Sequence, residues 1–308
     1  MLTRRLVSTL MAALCVFVVL PAFPVAAQSE PVHVPWTTLL PPAPSDYEGT
    51  RSPLCPAGQT RCVDIVIREM QRRFGPLASR CDHDAVFALT YLRTTEEYRR
   101  AIQDPAFFQD TAFVNTEDVL FADYYFRAHD NWQGGRRSSV PGAWRVAFDA
   151  ADRRAVSGMG NMLLGMNAHI NRDLPFVFEQ IGMVRPDGSS RKPDHDRVND
   201  FLIRVTDDVP PEIARRFDPS ADDASVPILT VDETGVFQLV ALWRENAWRN
   251  AERLVNARNG AERAQIAAEI EFNATTIANL IALQSGYLPP LTSTRERDNF
   301  CATHWNAQ

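Results

Sequence analysis

The stretch NMLLGMNAHINRDLPFVF, residues 161–178, decides the fold class of this chain. Its apolar run predicts a helix from about Val156 to Ile170, because it lacks the alternation of apolar and polar residues that a half-buried strand shows. Pro175 has no backbone N–H and disfavours a helical residue before it, so it forces a kink or a new helix start at this point. The stretch therefore predicts an apolar helix inside a helical domain.

Helical patterns continue on both sides of this stretch. One apolar stripe, with spacings of three and four residues, consists of Val63, Val66, Ile67, Met70 and Phe74. Two long helices are predicted nearer the carboxyl terminus, at about Val236–Ala257 and Ala261–Leu283. Strand alternation never exceeds a few residues, and no internal repeat occurs. We predict an all-α fold, a multi-helix orthogonal bundle of roughly eight to ten helices with a Pro-rich amino-terminal arm.

Capping residues indicate where several of these helices begin. Thr94 and Glu97 have the spacing of a capping box, which predicts a helix start at Thr94. The run Asn115-Thr116-Glu117-Asp118 predicts the start of an aromatic-rich helix that follows it. Asp194 predicts another start, and the prolines at 210–211 predict the opening of a further short helix.

The amino terminus has the features of a secretory signal. Arg4 and Arg5 precede an apolar run, Leu10–Leu20, that is too short to span a bilayer comfortably. Small residues before Gln28 predict cleavage after Ala27, and hence a secreted or periplasmic protein. We predict a signal peptide at 1–27, a Pro-rich extended arm at 28–54 and a single α-helical domain at 55–308.

The charge of the chain restricts its partners. The formal net charge is −6, from 32 basic and 38 acidic residues, and loss of Arg4 and Arg5 with the signal leaves 30 against 38, or −8. An acidic chain without a basic block is not typical of proteins that bind nucleic acid or anionic membranes. The expected partner is a small-molecule ligand or substrate, with no nucleic acid and no stable membrane insertion after signal cleavage.

Four cysteines remain after cleavage, namely Cys55, Cys62, Cys81 and Cys301. An even number in an exported chain predicts two disulfides, for which three pairings are possible. The pairing we favour joins Cys55 to Cys62 in a local loop and Cys81 to Cys301 as a clasp on the carboxyl-terminal segment. No CxxC pair is present, so the cysteines indicate a structural role.

The opening stretch also carries the candidate chemistry. On a helix, His169 and Asp173 share one face, and Asn167 and Asn171 share another. Four polar groups within an apolar run cost free energy unless each of them finds a partner. A second segment repeats the four-residue step with His195 and Asn199.

These two segments suggest a metal site between facing helices. Imidazole and carboxylate groups on neighbouring helices commonly hold divalent metals in helical bundles. The hypothesis takes His169, Asp173, His195 and Asp123 as metal ligands, and Asp196, Asn167 and Asn171 as catalytic residues. Asp196 is the candidate general base, and the two asparagines would orient water or substrate. The cofactor would be one divalent metal, zinc, manganese or iron, and the reaction hydrolysis of an ester or phosphoester.

Two alternatives use the same residues without a metal. In the first, the polar cluster is a structural network in the core of a non-enzymatic domain that binds a ligand or partner outside the cytoplasm. In the second, the cluster is a metal-free acid–base site. No HExxH motif, nucleophile elbow or phosphate-binding glycine loop is present to decide between enzyme and binding protein.

Several runs of sequence carry a family resemblance. GMNAHINRDLP and HDRVND, with VPGAWRVAFD before them and WRENAWRNAERL after, resemble an uncharacterised secreted bacterial family known only as domain of unknown function number 5995. The resemblance covers most of the mature chain, about Asp82 to Leu283. The signature positions that it implies are Asn167, His169, Asn171, Asp173, His195 and Asp196. It implies a fold and export, and it brings no activity.

Overall fold

Helices form nearly all of the regular structure in the computed structural model, which describes residues 35–45, 49, 54–221, 233–285, 287 and 293–307. The helices are α1 (Thr60–Ser79), α2 (Asp84–Ala101), α3 (Thr111–Gln133), α4 (Gly142–Asp152), α5 (Gly158–Asn167), α6 (Leu174–Ile181), α7 (Lys192–Arg197), α8 (Asn199–Arg216), α9 (Glu233–Val255), α10 (Gly260–Gln284) and α11 (Thr294–His304). A π-helical segment, Ala168–Asp173, joins α5 to α6. Within the described ranges, one isolated bridge between Val184 and Ser190 is the only β pairing. The predicted all-α, multi-helix fold is confirmed.

The predicted amino-terminal segments are only partly within the described residues. The signal peptide at 1–27 and its cleavage site after Ala27 lie outside them. Of the arm at 28–54, residues 35–45 contain one 3-10 turn, Trp36–Leu39. This segment lies against α7 and α9, where the Arg249 side chain donates hydrogen bonds to the carbonyl oxygens of Leu40 and Pro41. The division into signal, arm and domain stays a prediction.

The apolar stripes place the long helices correctly. In α1, Val63, Val66, Met70 and Phe74 are buried, as their spacing predicts, and α1 packs on α2. The observed bounds of α9 and α10 lie within about three residues of the predicted ones. Helices of this kind are stabilised mainly by burial of one apolar face, which the stripe records directly.

Several predicted helix starts were wrong. At these positions the residue that was expected to cap a helix lies inside one, and its side chain has another hydrogen-bond partner. Thr94 lies inside α2, and its hydroxyl donates to the carbonyl oxygen of Thr90. Asp110, not Asn115, caps α3 by accepting from the backbone N–H of Phe113. Asp194 lies inside α7 and accepts from backbone N–H groups just before α3, at residues 109–110. The prolines at 210–211 lie inside α8 and do not open a new helix.

The stretch around Pro175 forms one continuous helix, α5 to α6, that runs through the middle of the fold. The π segment accommodates the proline: the backbone N–H of Leu174 donates to the carbonyl oxygen of His169, five residues earlier. This segment contacts α3, α4, α9 and α10. At Gly165 a Cβ would lie 2.2 Å from the ring of Phe87, so glycine is needed for α2 to approach α5 here.

Both predicted disulfides are present. Cys55 pairs with Cys62, and Cys81 pairs with Cys301 across 220 residues of sequence. The second bond fastens α11, a helix that the sequence analysis did not predict, although Ser293 and Glu296 form a capping box at its start. Disulfides persist in oxidising compartments, so the pair is consistent with an extracytoplasmic location.

Among the described helices, α10 alone has the length and mean hydropathy, 1.2, that would suit a membrane span. It packs on α4 and α9 through one face and exposes Phe272, Leu280 and Leu283 on the other. Length and composition of one helix are weak evidence for membrane insertion. The expectation of no stable membrane insertion stays a prediction.

Candidate functional site

A cavity of about 120 Å³ lies between α2, α3, α5 with its π segment, α8 and α9, and we call it the central cavity. Its wall is mainly apolar, and it is partly open to solvent. Its size is comparable with the engineered cavity of roughly 150 Å³ that takes up benzene. The ionisable residues in the wall are Tyr91, Tyr98, Glu117, Asp118, His169 and Arg244. A mainly apolar pocket with a few convergent polar groups is the usual form of a small-molecule site.

His169 is held in one orientation and one tautomer. Its Nδ1 lies 3.2 Å from Oδ2 of Asp173, which also accepts from the indole N–H of Trp144 at 2.8 Å. Arg172 donates to the other Asp173 oxygen at 2.9 Å. A carboxylate that accepts from these groups also accepts from His169, so Nδ1 carries the proton and Nε2 keeps its lone pair. The imidazole stacks on Phe121 with 3.4 Å between ring centroids, which fixes the ring plane.

Three wall residues each have a buried polar atom without a hydrogen bond to the described protein. These atoms are the hydroxyl of Tyr91, Oδ2 of Asp118 and Nε2 of His169. The rings of Tyr91 and His169 are 4.4 Å apart at their centroids, so two of the three atoms belong to side chains in direct contact. Unsatisfied buried polar atoms are costly and therefore few in folded proteins. Of the seven such atoms among the described residues, three lie at this one cavity, which marks it as a place where a ligand can supply the missing partners.

Two adjacent carboxyl groups on α3 have strongly altered acidities. Burial raises the pKa of Asp118 to about 8, with the nearby charge of Glu117 adding to the effect. Burial also raises the pKa of Glu117 to about 7, although Arg244 opposes this rise. At neutral pH Asp118 is therefore mostly protonated and can donate a hydrogen bond. Burial lowers the pKa of His169, which keeps its imidazole neutral.

Arg244 is a buried cation in the same wall, with 5% of its surface exposed. Its Nε donates to Asn199, and its Nη2 donates to both the Nδ1 and the carbonyl oxygen of His195. Because a guanidinium can only donate, Nδ1 of His195 accepts and its Nε2–H donates to the Arg244 carbonyl oxygen at 3.2 Å. Arg244 forms no ion pair with a carboxylate of the described residues. Burial lowers the pKa of this guanidinium to about 10.

The structure brings some predicted site residues together and separates others. His169 and Asp173 are in contact, as their spacing predicts. His195 belongs instead to the Arg244 cluster and packs between Phe178 and Trp248. Asp123 pairs with Arg127 on the solvent side of α3. Across the described ranges, no three His, Cys, Asp or Glu side chains are placed to hold a metal ion.

The remaining predicted residues have partners away from the cavity. Asn167 donates to the carbonyl oxygen of Ala274 and accepts from Asn171, which accepts in turn from Asn246. These amide contacts tie the π segment to α9 and α10. Asp196 accepts from the ammonium of Lys192 through both oxygens, at 2.8 and 2.9 Å.

Ionisation of Asp118 is expected to make folding less favourable as pH rises. The folded protein keeps this proton up to about pH 8, whereas the unfolded chain releases it near the ordinary pKa of about 4. Because the folded protein then binds more protons than the unfolded chain, the free energy of unfolding falls as the pH rises from about 4 to about 8. Above about pH 8 the stability contributed by this proton is lost completely. Asp118→Asn cannot ionise, so its Tm relative to wild type should increase from pH 4 to pH 8.5 by about 3 °C or more.

The control for this measurement is Asp123→Asn on the same helix, whose carboxylate is paired with Arg127 and partly exposed. Its Tm relative to wild type should not increase over this range. Equal pH profiles for the two variants, recorded by thermal circular dichroism, would show that Asp118 ionises normally.

Sequence reasoning missed Tyr91, Glu117, Asp118 and Arg244 as site residues. The signal for Glu117 and Asp118 was present, since two carboxyl groups stand beside an aromatic run. We interpreted them as part of a helix start, but α3 begins at Thr111 and places them in its interior. An acidic pair in the interior of an aromatic-rich helix needs a partner or a function.

Comparison with protein families places the chain in a known family. A family model described as a family of unknown function, DUF5995, matches residues 63–284. No curated protein and no solved structure matches the chain. The matched range contains every residue in the wall of the central cavity.

Proposed function

Starting from the fact that the chain belongs to the family of unknown function DUF5995, we propose that it binds a small, mainly apolar molecule in the central cavity. We further propose that it acts on this molecule by general acid–base catalysis, with His169 as base and Asp118 as acid. The family supplies no activity, so the proposal depends on the chemistry of the cavity wall. The bound molecule needs an apolar body and at least one polar group.

The observation that carries the proposal is the set of three unpartnered atoms on Tyr91, Asp118 and His169 around one apolar cavity. A purely structural network would satisfy its own members, because half-satisfied buried networks destabilise a fold. The Asn167–Asn171 contacts show the satisfied form in the neighbouring turn of the same helix. Ligand groups that complete hydrogen bonds to the three atoms would therefore gain binding free energy.

The pair of His169 and Asp173 supplies the base. Asp173 fixes the tautomer and stabilises the imidazolium that forms when Nε2 takes a proton, as a carboxylate does behind other catalytic histidines. Asp118 supplies the acid, since its raised pKa leaves it protonated at pH 7. Both groups lie among apolar residues, where little water competes for their hydrogen bonds and electrostatic interactions are stronger than in solvent.

Hydrolysis of an apolar ester is the reaction we propose for this pair. Nε2 of His169 takes a proton from a water molecule, whose oxygen adds to the ester carbonyl carbon. The carbon–oxygen bond to the alcohol then breaks, and the alcohol oxygen takes the Asp118 proton. The His169 imidazolium finally releases its proton and the Asp118 carboxylate takes one up, which restores both groups for the next turnover. We assign the nucleophile to water, since the threonine hydroxyls of the wall, at Thr90, Thr94 and Thr95, are engaged as donors to carbonyl oxygens within α2.

The metal-dependent hydrolase predicted from the sequence needs His195 beside His169 and Asp173. The metal-dependent mechanism stays a prediction, and no group of three potential metal ligands occurs among the described residues. The non-enzymatic alternative keeps the cavity as a binding site without turnover. It is favoured if ligands bind and His169 proves to matter only for stability.

Activity towards p-nitrophenyl esters with acyl chains of two to eight carbons tests the proposal. His169→Gln should lower kcat/KM at least about 100-fold, because general base catalysis contributes roughly 10²–10⁴. The wild-type rate should fall above pH 8 as Asp118 ionises, and Asp118→Asn should remove that fall together with most of the activity.

The matched control is His129→Gln, a second buried histidine, which is absent from the cavity wall. It should keep wild-type kcat/KM. If folded His169→Gln hydrolyses these esters as fast as wild type, the base has been assigned to the wrong residue. If wild type binds the products but shows no turnover with any ester, the binding alternative replaces the enzyme.

A further inference from the structure

The guanidinium of Arg244 has unused donors at the central cavity. Nε and Nη2 make three hydrogen bonds, to Asn199 and His195, and these use three of its five N–H groups. The two N–H groups of Nη1 make no hydrogen bond with the described residues. Arg244 is 5% exposed and belongs to the cavity wall, so these donors are largely shielded from bulk solvent.

Burying this cation without a close anion is unfavourable. A buried charge normally has a paired charge of opposite sign, since desolvation costs several kcal/mol per ion. Glu117 lies in the same wall and interacts electrostatically with Arg244, yet the two make no ion pair. The cavity therefore contains a fixed guanidinium and a carboxyl group with space for a third group beside them.

We infer that Arg244 binds the carboxylate of an apolar monocarboxylic acid in the central cavity. The inference rests on the proposed function, because such an acid is what ester hydrolysis would leave there. A carboxylate matches the planar guanidinium fork and carries one negative charge against one positive charge. A phosphate dianion would leave an unpaired charge in an apolar cavity, which the same physics disfavours.

His195 and Asn199 position the guanidinium for this role. Nδ1 of His195 accepts from Nη2 of Arg244, and its Nε2 donates to the Arg244 carbonyl oxygen. His195 therefore fixes both the guanidinium and the backbone of Arg244. Arg244 thus spends little conformational entropy on binding, because its rotamer is fixed before the ligand arrives. The signature histidine of the second segment acts through Arg244 as a positioning residue.

Glu117 makes the binding depend on pH. The groups that act on its carboxyl are Arg244 on α9, Asp194 and Arg191 at α7, and Asp118 beside it on α3. An anion next to Arg244 repels ionised Glu117 but accepts a hydrogen bond from the protonated form. Because burial raises the pKa of Glu117 to about 7, affinity for a carboxylate should fall about tenfold from pH 6 to pH 8.

Calorimetric titration of the full chain with matched ligand pairs tests the inference. The probes are linear carboxylic acids of four to ten carbons and the alcohols of the same chain lengths. At pH 6 the best acid should bind at least tenfold more tightly than its alcohol. Arg244→Gln should abolish this preference, and Glu117→Gln should remove most of the loss of acid affinity between pH 6 and 8, leaving at most about twofold from the ionisation of Asp118.

Each outcome has a distinct meaning, even if Arg244→Gln fails to fold, because the acid–alcohol comparison uses wild-type protein. Equal affinity for acids and alcohols would overturn the role of Arg244 and leave the proposed cavity function standing. No binding of either series would overturn both. A tenfold preference for acids that persists in folded Arg244→Gln would place the anion elsewhere and overturn the inference.

Discussion

Replacing Cys81 and Cys301 together by alanine is expected to lower the free energy of unfolding by about 5 kcal/mol. The bond closes a loop of 220 residues, and the chain entropy that a cross-link removes from the unfolded state grows with loop length. It also fastens α11, whose Arg297 is buried and donates to the Val156 carbonyl oxygen just before α5 and to the Asn161 side chain within α5. Guanidinium unfolding at fixed pH, monitored by circular dichroism, measures the loss.

The chain contains its own control for this prediction. The bond between Cys55 and Cys62 spans only seven residues, so its removal should cost about 2 kcal/mol by the same reasoning. A larger loss from the short loop than from the long one would show that local contacts, and not chain entropy, set the contribution of these bonds. Unequal denaturant slopes would show that the unfolded state itself has changed.

The helices could be predicted because their apolar spacing records burial of one face. The α1 stripe and the bounds of α9 and α10 were correct for that reason. Helix starts were less predictable, because Thr, Asn and Asp cap helices only when no other partner takes the side chain. Asn115 illustrates this: it lies inside α3, accepts from the Tyr98 hydroxyl and donates to the carbonyl oxygen of Gly58.

The candidate site was only partly predictable for a related reason. His169 and Asp173 are four residues apart on one helix, so the sequence alone indicates their contact. The central cavity is built by side chains from five parts of the chain, and its existence depends on how the helices pack. Nothing in the spacing of Tyr91, Asp118 and Arg244 indicates that they share a wall. The π segment at residues 168–173 could not be predicted either, because the periodicity used for helices assumes 3.6 residues per turn.

Replacing Lys192 by methionine is expected to cost about 3–5 kcal/mol of stability, because it leaves buried carboxylates unpaired. Lys192 is the only lysine in the chain and is 2% exposed. Its ammonium contacts both oxygens of Asp196, Oε2 of Glu245 at 3.1 Å and the carbonyl oxygen of Thr37 at 2.8 Å. Arg249 still pairs with Glu245 in the variant, but Asp196 keeps no cation in contact among the described residues.

Chemical unfolding of three further variants separates the ion pair from its surroundings. Arg197→Met removes an ion pair with Asp200 in which both side chains are substantially exposed, and should cost less than about 1 kcal/mol. Lys192→Met combined with Asp196→Leu removes both buried partners and should recover much of the loss, since apolar replacements of buried pairs are often tolerated. Asp196→Leu alone should be destabilising, because Glu245 is then the one carboxylate that still contacts Lys192 among the residues that the structure describes. If Lys192→Met costs no more than Arg197→Met, the buried network contributes no more than an exposed ion pair, and residues 35–45 are held by their other contacts with α9.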